Sequence, residues 1–231
     1  MKYFINYASG GFFNSQNQGL QSASEFGFES IGYTDTDIDD DFKSKYSNIL
    51  NSKRGCGYWI WKPYIILDMF NKMSDDDYLI YMDSGAKLVK DPSEFMEMID
   101  EKGILAFSML HKQYKWTKGD CFYYINKENK ESFKDENQLQ GTYIFFRKCD
   151  YSVSFVKKWL EYCTMDGLIT DEPNKSMDNF GGFIDHRHDQ SIFSLLSYNE
   201  GIKFIPQIDQ YCVEHGYDLS RKIVERHGIR N

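Results

Sequence analysis

Three stretches of this sequence bring together side chains able to do chemistry. The first is Tyr78-Leu79-Ile80-Tyr81-Met82-Asp83-Ser84-Gly85, where five apolar residues in a row end at a carboxylate, a hydroxyl and a glycine. A short β-rich run of this kind, bounded in front by Asp75-Asp76-Asp77, reads as a strand buried on both faces in a parallel sheet. Ligands of open α/β sheets sit just beyond the carboxyl ends of the strands, so Asp83 arrives at the rim. A carboxylate there suits a divalent cation held on oxygen. Gly85 allows a sharp turn or a close approach to a ligand. The plain alternative is an aspartate that only caps a loop.

The second stretch is Arg54-Gly55-Cys56-Gly57-Tyr58-Trp59-Ile60-Trp61-Lys62-Pro63. Flat rings can stack on a base or a sugar, and Arg and Lys can hold phosphate. At least one of Trp59 and Trp61 is expected in the core, where large rings normally go. The third is Asp185-His186-Arg187-His188-Asp189-Gln190-Ser191, just before the apolar Ile192-Phe193-Ser194-Leu195-Leu196. It reads either as a segment holding a carboxylate near a reacting centre or as a helix cap at Asp189 with exposed histidines.

These groups need a frame. Lys2 to Tyr7 reads as a first strand, with Ala8-Ser9-Gly10-Gly11 as a small-residue turn that lacks the Gly-Lys-Ser/Thr phosphate signature. Gln16 to Phe26 is a possible helix, Ser30 to Thr34 a second strand, and the acidic run Asp35 to Asp41 a solvated loop. Pro63 suits a first helical turn, after which Ile65, Ile66, Met69, Phe70 and Met73 share one face. Asp91-Pro92-Ser93-Glu94 starts a helix that buries Phe95, Met98 and Ile99 and ends at Gly103. Ile104 to Met109 is a strand, and His111 to Asn137 a long polar loop, either a substrate-facing lid or plain surface. Thr142 to Phe146 is a strand. Asp150 caps a helix with the face Val153, Val156, Leu160 and Cys163, Ile202 to Ile205 is a last core strand, and a polar terminal helix starts at Asp218. The strand–helix rhythm indicates an α/β fold.

A length of 231 residues fits one domain, and four prolines leave little room for long linkers. The net charge of -8 argues against nucleic acid, which wants a basic face, and makes a bound cation useful for any phosphate-bearing ligand. Five scattered cysteines with no zinc-like spacing, and no signal peptide, suit a reducing cytoplasm. No apolar run is long enough to span a bilayer.

Taken in chain order, Arg54 to Tyr64, Tyr81 to Gly85 and His186 to Ser191 resemble the nucleotide-sugar-dependent glycosyltransferases of the GT-A type. More narrowly, they are similar to small enzymes of bacterial capsule or surface-polysaccharide loci and of large DNA viruses. The resemblance implies one Rossmann-like α/β domain over 1–231 with a mostly parallel central sheet flanked by helices. About 1–110 would bind the nucleoside diphosphate sugar, UDP-linked, and about 111–231 the carbohydrate acceptor. A hexosyl- or deoxyhexosyltransferase assisted by Mn2+ or Mg2+ is what it implies. Arg54, Tyr58, Trp59, Lys62, Asp83, Ser84 and Gly85 would then bind the donor. Asp83 matches the first acid of the family's Asp-x-Asp motif, whose second acid is here Gly85, one protein ligand fewer. A late histidine, His215, would complete the metal site, and Asp189 and Gln190 would flank the anomeric carbon. Two rival readings stand beside this one: a sugar-phosphate nucleotidyltransferase, whose longer cationic first loop is missing at Ala8 to Phe13, and a non-catalytic carbohydrate- or nucleotide-binding module.

Overall fold

The structure is a computed structural model that describes residues 1–226. The first half of the chain runs β1 (Lys2–Tyr7), α1 (Phe13–Glu25), β2 (Glu29–Tyr33), α2 (Asp40–Lys45), α3 (Ser47–Leu50), the single turn α4 (Gly55–Tyr58), α5 (Trp61–Lys72), β3 (Tyr78–Met82), β4 (Ala86–Leu88) and α6 (Ser93–Met96). The second half runs β5 (Ile104–Lys112), α7 (Gln113–Trp116), α8 (Gly119–Ile125), β6 (Asn137–Leu139), β7 (Tyr143–Arg147), α9 (Asp150–Thr164), α10 (His188–Asn199), β8 (Phe204–Pro206) and β9 (Val224–Arg226).

The sheet order is β2-β1-β3-β7-β5-β6, with β8 beside β5. It is mixed but mostly parallel. β2, β1 and β3 share a direction, β7 runs against β3 and β5, and β8 runs with β5. β3 is buried as expected, but only β1 is its parallel neighbour; on the other side Leu79 to Met82 pair antiparallel with Tyr143 to Phe146. Apolar residues on both faces of a central strand carry no information about the direction of its neighbours.

Two cores lie on the two faces. One gathers Trp61, Ile65, Ile66, Met69 and Phe70 of α5 with Phe155, Val156 and Trp159 of α9 and Ile192, Phe193 and Leu196 of α10. The other packs Ala23 of α1, Phe95 and Met96 of α6 and Val224 of β9 on Phe4, Ile80, Phe107 and Phe145. The chain is therefore an α/β domain with helices on both sides of its sheet.

Several elements depart from the sequence reading. The helix expected up to Gly103 is the single turn α6, because Asp91 Oδ1 takes the Ser93 amide and Met98 and Ile99 are only partly buried. α9 is capped by Cys149, whose amide donates to Ser152 Oγ, and Asp150 is already inside the helix. Its deepest side chains are Phe155, Val156, Trp159 and Cys163, a face turned so that the largest rings reach the core. The acidic run contains a 3-10 turn, Asp35–Asp37, and the start of α2, capped by Asp39. The polar stretch 111–137 is neither an open lid nor plain surface. Gln113, Thr117, Lys118 and Asp120 are buried within it, and Asp120 accepts three amides from Lys175, Ser176 and Met177. The terminal helix expected from Asp218 is instead a 3-10 turn, Leu219–Arg221, followed by β9, which pairs with β4. Residues 227–231 of that expectation lie outside the described residues.

Gly103 joins α6 to β5 with φ +72°, and a Cβ there would meet the Arg147 carbonyl at 2.4 Å and Cys149 Sγ at 2.8 Å. Left-handed backbone costs a non-glycine residue about 1–2 kcal/mol, and the clash adds to it. Gly103→Ala should therefore lower stability by about 2 kcal/mol or more, read as a lower urea midpoint at unchanged slope. An unchanged midpoint would contradict the tight packing of this turn.

Candidate functional site

Asp83 leaves β3 at the rim of the sheet, and the turn is closed by the Ala86 amide donating to the Asp83 carbonyl at 3.0 Å. The Asp83 amide donates to the Thr142 carbonyl at 2.7 Å, which ties it to the link between β6 and β7. Tyr81 OH donates to Asp83 Oδ1 at 2.5 Å. The Asp83 side chain remains 35% exposed, so it faces both the protein and the solvent.

Lys62 approaches from the first turn of α5 and is 2% exposed. Its ammonium lies 2.7 Å from Asp189 Oδ2 and 3.4 Å from Asp83 Oδ1, and it donates to the Gly141 carbonyl at 2.8 Å. The Tyr81 ring is 5.2 Å away. Burial works against the charged ammonium, but Asp189 and Asp83 outweigh it and hold the Lys62 pKa above its ordinary value.

Asp189 is the second residue of α10 and is 3% exposed. The partial positive charge of a helix start favours its ionised form. Burial pushes its pKa up to about 6, with Lys62 pulling it back down and Asp83 adding to the rise. It does not cap the helix; Arg187 occupies that position. Trp159 Nε1 donates to its backbone carbonyl at 3.1 Å. Gln190 Oε1 accepts the Gly141 amide at 3.1 Å, and its Nε2 donates to Gln138 Oε1 at 2.8 Å. A Cβ at Gly141 would meet Lys62 Nζ at 3.1 Å, and Asp189 Oδ2 and Gln190 Cβ at 3.3 Å, so these side chains would have to give by a few tenths of an ångström.

The loop before α5 has unusual backbone. Gly55, Cys56, Gly57, Tyr58 and Trp59 all have positive φ, between 50° and 95°. The amides of Tyr58 and Trp59 donate to the carbonyls of Arg54 and Gly55, so the segment is one left-handed helical turn. Trp61 is the core ring, stacked on Tyr7 at 3.9 Å, with its Nε1 donating to the Gly55 carbonyl. Tyr58 and Trp59 lie 4.9 Å and 5.5 Å from the His188 ring. Arg54 is engaged by carboxylates, with Nη1 donating to both oxygens of Asp171 at 3.1 Å and Nη2 to Asp185.

The two histidines are buried, not exposed. His186 Nε2 meets the Leu168 carbonyl and His188 Nδ1 the Ile169 carbonyl, at 3.1 Å and 2.7 Å. Burial lowers the pKa of both. Their role in the structure is to bind segment 168–171 to the start of α10.

Ser84 is buried and Gly85 half-buried beside Asp83. The late segment does return to this region, because β9 pairs with β4 immediately after Asp83. His215 closes the 3-10 turn Gln210–His215. Among the described residues no three or more of His, Cys, Asp and Glu are grouped so that they could hold a metal ion. Of the two carboxylates beside Lys62, Asp83 faces outward, 35% exposed, while Asp189 is 4% exposed. Such a donor fits Mn2+ or Mg2+ only when a ligand's phosphate oxygens complete the shell, a common arrangement for hard cations.

Lys62, Asp83, Asp189 and Gln190 are brought together, while Arg54, Tyr58 and Trp59 are gathered around His188 and Asp171. Sequence reasoning missed Tyr81, Gly141, Gln138 and Trp159. Tyr81 reads only as a strand residue and Trp159 only as core; the one available signal was Gly141 directly ahead of a strand.

The fold is that of the GT-A glycosyltransferases. Mouse xyloside xylosyltransferase 1 superposes with a TM-score of 0.53 at 11% identity, over 99% of this chain and 98% of its own. A glycosyltransferase involved in glycosylation of the major capsid of PBCV-1 gives 0.51 at 10% identity, over 97% and 91%. The galactosyltransferase LgtC gives 0.50 at 10% identity, over 100% and 88%. No family model and no curated protein matches the sequence.

Asp189 has a folded-state pKa above its unfolded value, so its contribution to stability is complete below the unfolded carboxylate range and is lost as pH rises through about 6. Lys62→Met removes the counter-charge and should shift this loss to higher pH. Near neutrality the variant should be less stable by about 3 kcal/mol, the scale of breaking a buried pair. Urea unfolding across the acid-to-neutral range, with Asp189→Asn as the variant lacking the titration, checks both; parallel curves for wild type and Lys62→Met would rule out the coupling.

Proposed function

We propose that this chain is a glycosyltransferase that moves a hexosyl or deoxyhexosyl group from a UDP-linked sugar to a carbohydrate acceptor. The observation that carries this reading is the meeting of Lys62, Asp83 and Asp189 at the carboxyl-end rim of the sheet, where the two halves of the chain join. In the transfer, the bond from the anomeric carbon to the diphosphate breaks with its electron pair leaving on the nucleoside diphosphate. A bond from the acceptor oxygen to that carbon forms, and the acceptor hydroxyl gives up its proton.

Each group has a part that its position supports. Asp83, half open to solvent, would hold Mn2+ or Mg2+ together with the donor diphosphate, and the cation would supply charge for the leaving group. Ser84 and Gly85 would line the donor beside it. Arg54, Tyr58, Trp59 and Lys62 stand as donor-binding residues. Arg54 would have to exchange Asp171 and Asp185 for phosphate, and Lys62 would act from beneath Asp83. With its side chain 4% exposed and held by Lys62, Asp189 works as a fixed negative charge. It would stabilise a sugar that becomes cationic, with Gln190 beside it. A direct acid–base role in an inverting reaction needs the Gly141 link to move aside. His215 is the residue of the late segment that would join the metal.

A second reading, a non-catalytic nucleotide- or carbohydrate-binding module, is favoured by Gly85 in place of an acid. Release of UDP from UDP-sugars with added Mn2+ separates the two: turnover supports the enzyme, and binding without turnover supports the module.

Asp83→Asn should abolish metal-dependent donor binding in a variant that still folds, with a melting temperature lowered by the loss of one of the two carboxylates facing Lys62; unchanged donor binding in the folded variant would remove Asp83 from the site. Asp189→Asn should lower turnover by about a hundredfold or more with little change in donor affinity. Wild-type kcat/KM should also fall as pH drops below about 6, where Asp189 gains a proton, and Asp189→Asn should lose that limb. Near-wild-type turnover in Asp189→Asn would remove the residue from the mechanism.

A further inference from the structure

The two oxygens of the Asp83 carboxylate stand in different surroundings. Tyr81 OH donates to Oδ1 at 2.5 Å, and the Lys62 ammonium lies 3.4 Å from that same oxygen. Among the described residues Oδ2 takes no hydrogen bond and no ion pair, and it is not a buried atom. A cation approaching Oδ1 would compete with the Tyr81 hydroxyl and meet the like charge of Lys62. At Oδ2 no donor stands in its way.

Tyr81 is well placed to keep this arrangement. It is fully buried in β3, with Ile5 of β1 and Ile144 of β7 as its cross-strand partners. Its ring belongs to the core shared with α5, α9 and α10, so close packing fixes where the hydroxyl points. Burial, and then the neighbouring Asp83 carboxylate, push its pKa well above the ordinary tyrosine value. The hydroxyl therefore keeps its proton and remains a donor.

We propose that Tyr81 is a positioning residue for the cation site: its hydroxyl, together with Lys62, closes Oδ1 and presents Oδ2 of Asp83 as a single-oxygen ligand. The inference rests on the reading of Asp83 as the cation ligand given above, and adds which oxygen binds and what fixes it. One carboxylate oxygen suits Mn2+ and Mg2+, which take a near-octahedral shell and can draw the rest of it from diphosphate and water. Ca2+ takes a larger shell and readily uses both oxygens of a carboxylate, so it gains least from such a ligand.

Tyr81→Phe removes one oxygen and leaves the ring in the core. Mn2+ binding in the presence of UDP, followed by water-proton relaxation, needs no turnover. Tyr81→Phe should weaken it about tenfold or more, the scale on which hydrogen-bond partners of metal ligands act. Ca2+, measured by displacement of Mn2+, should weaken less, so the preference for Mn2+ over Ca2+ should narrow. Tyr198→Phe is the control for a structural hydroxyl. It loses a bond to the Asn137 carbonyl at 2.8 Å, and should cost stability yet bind Mn2+ as wild type does. Equal Mn2+ affinity in wild type and Tyr81→Phe, an equal loss in Tyr198→Phe, or parallel losses of Mn2+ and Ca2+ would overturn the role of Tyr81 and leave Asp83 as the ligand. No Mn2+ bound by wild type with UDP would instead remove the cation reading itself, and this role with it.

Discussion

The structure around the rim depends on one buried ammonium. Lys62 sits between Asp189, Asp83 and the Gly141 carbonyl with almost no access to water. An unpaired charge in that position would cost several kcal/mol, so the two carboxylates and the carbonyl have to be where they are. This requirement joins four parts of the chain that are far apart in sequence: α5, the end of β3, the link between β6 and β7, and the start of α10. A Cβ at position 141 would crowd the ammonium and Asp189, so glycine suits the close approach of this link.

Strain is accepted nearby to deliver Lys62. Cys56, Tyr58 and Trp59 adopt left-handed backbone, at about 1–2 kcal/mol for each such non-glycine residue. What offsets it is packing specific to that turn. Trp61 stacks on Tyr7 and donates to the Gly55 carbonyl, and Trp59 and Tyr58 cover His188. The same rings therefore serve the fold in this state, and the left-handed turn sets the angle at which α5 begins. Arg54, at the start of the turn, is bound to Asp171 and Asp185, which links the loop before α5 to the segment leading into α10.

The mixed sheet gives the rim two kinds of wall. β1 and β3 run parallel and bring the turn after Tyr7 and the turn after Met82 to the same edge. β7 runs the other way, so it is its amino-terminal side, at Gly141 and Thr142, that meets Asp83. Antiparallel pairing at this point is what lets a backbone carbonyl and amide from the second half of the chain reach into a site built on the first half.

Much of this was legible in the sequence. The apolar run of β3, the buried face of α5 and the apolar stretch of α10 follow from local periodicity. They placed Asp83, Lys62 and Asp189 correctly at the ends of their elements. That one of two tryptophans would be core was also readable, and it is Trp61. Periodicity is a property of a few successive residues, so it reports which face is buried and where an element stops. It could not report that β7 lies antiparallel beside β3, that the histidines turn inward to the carbonyls of Leu168 and Ile169, or that the polar stretch after β5 is buried around Asp120. Nor could it show Lys62 as a buried counter-ion to Asp189, because Lys62 and Asp189 are brought together only when the sheet and its helices close over them. A charge is stabilised by what surrounds it in space, and for this site those neighbours come from segments that the chain order keeps apart.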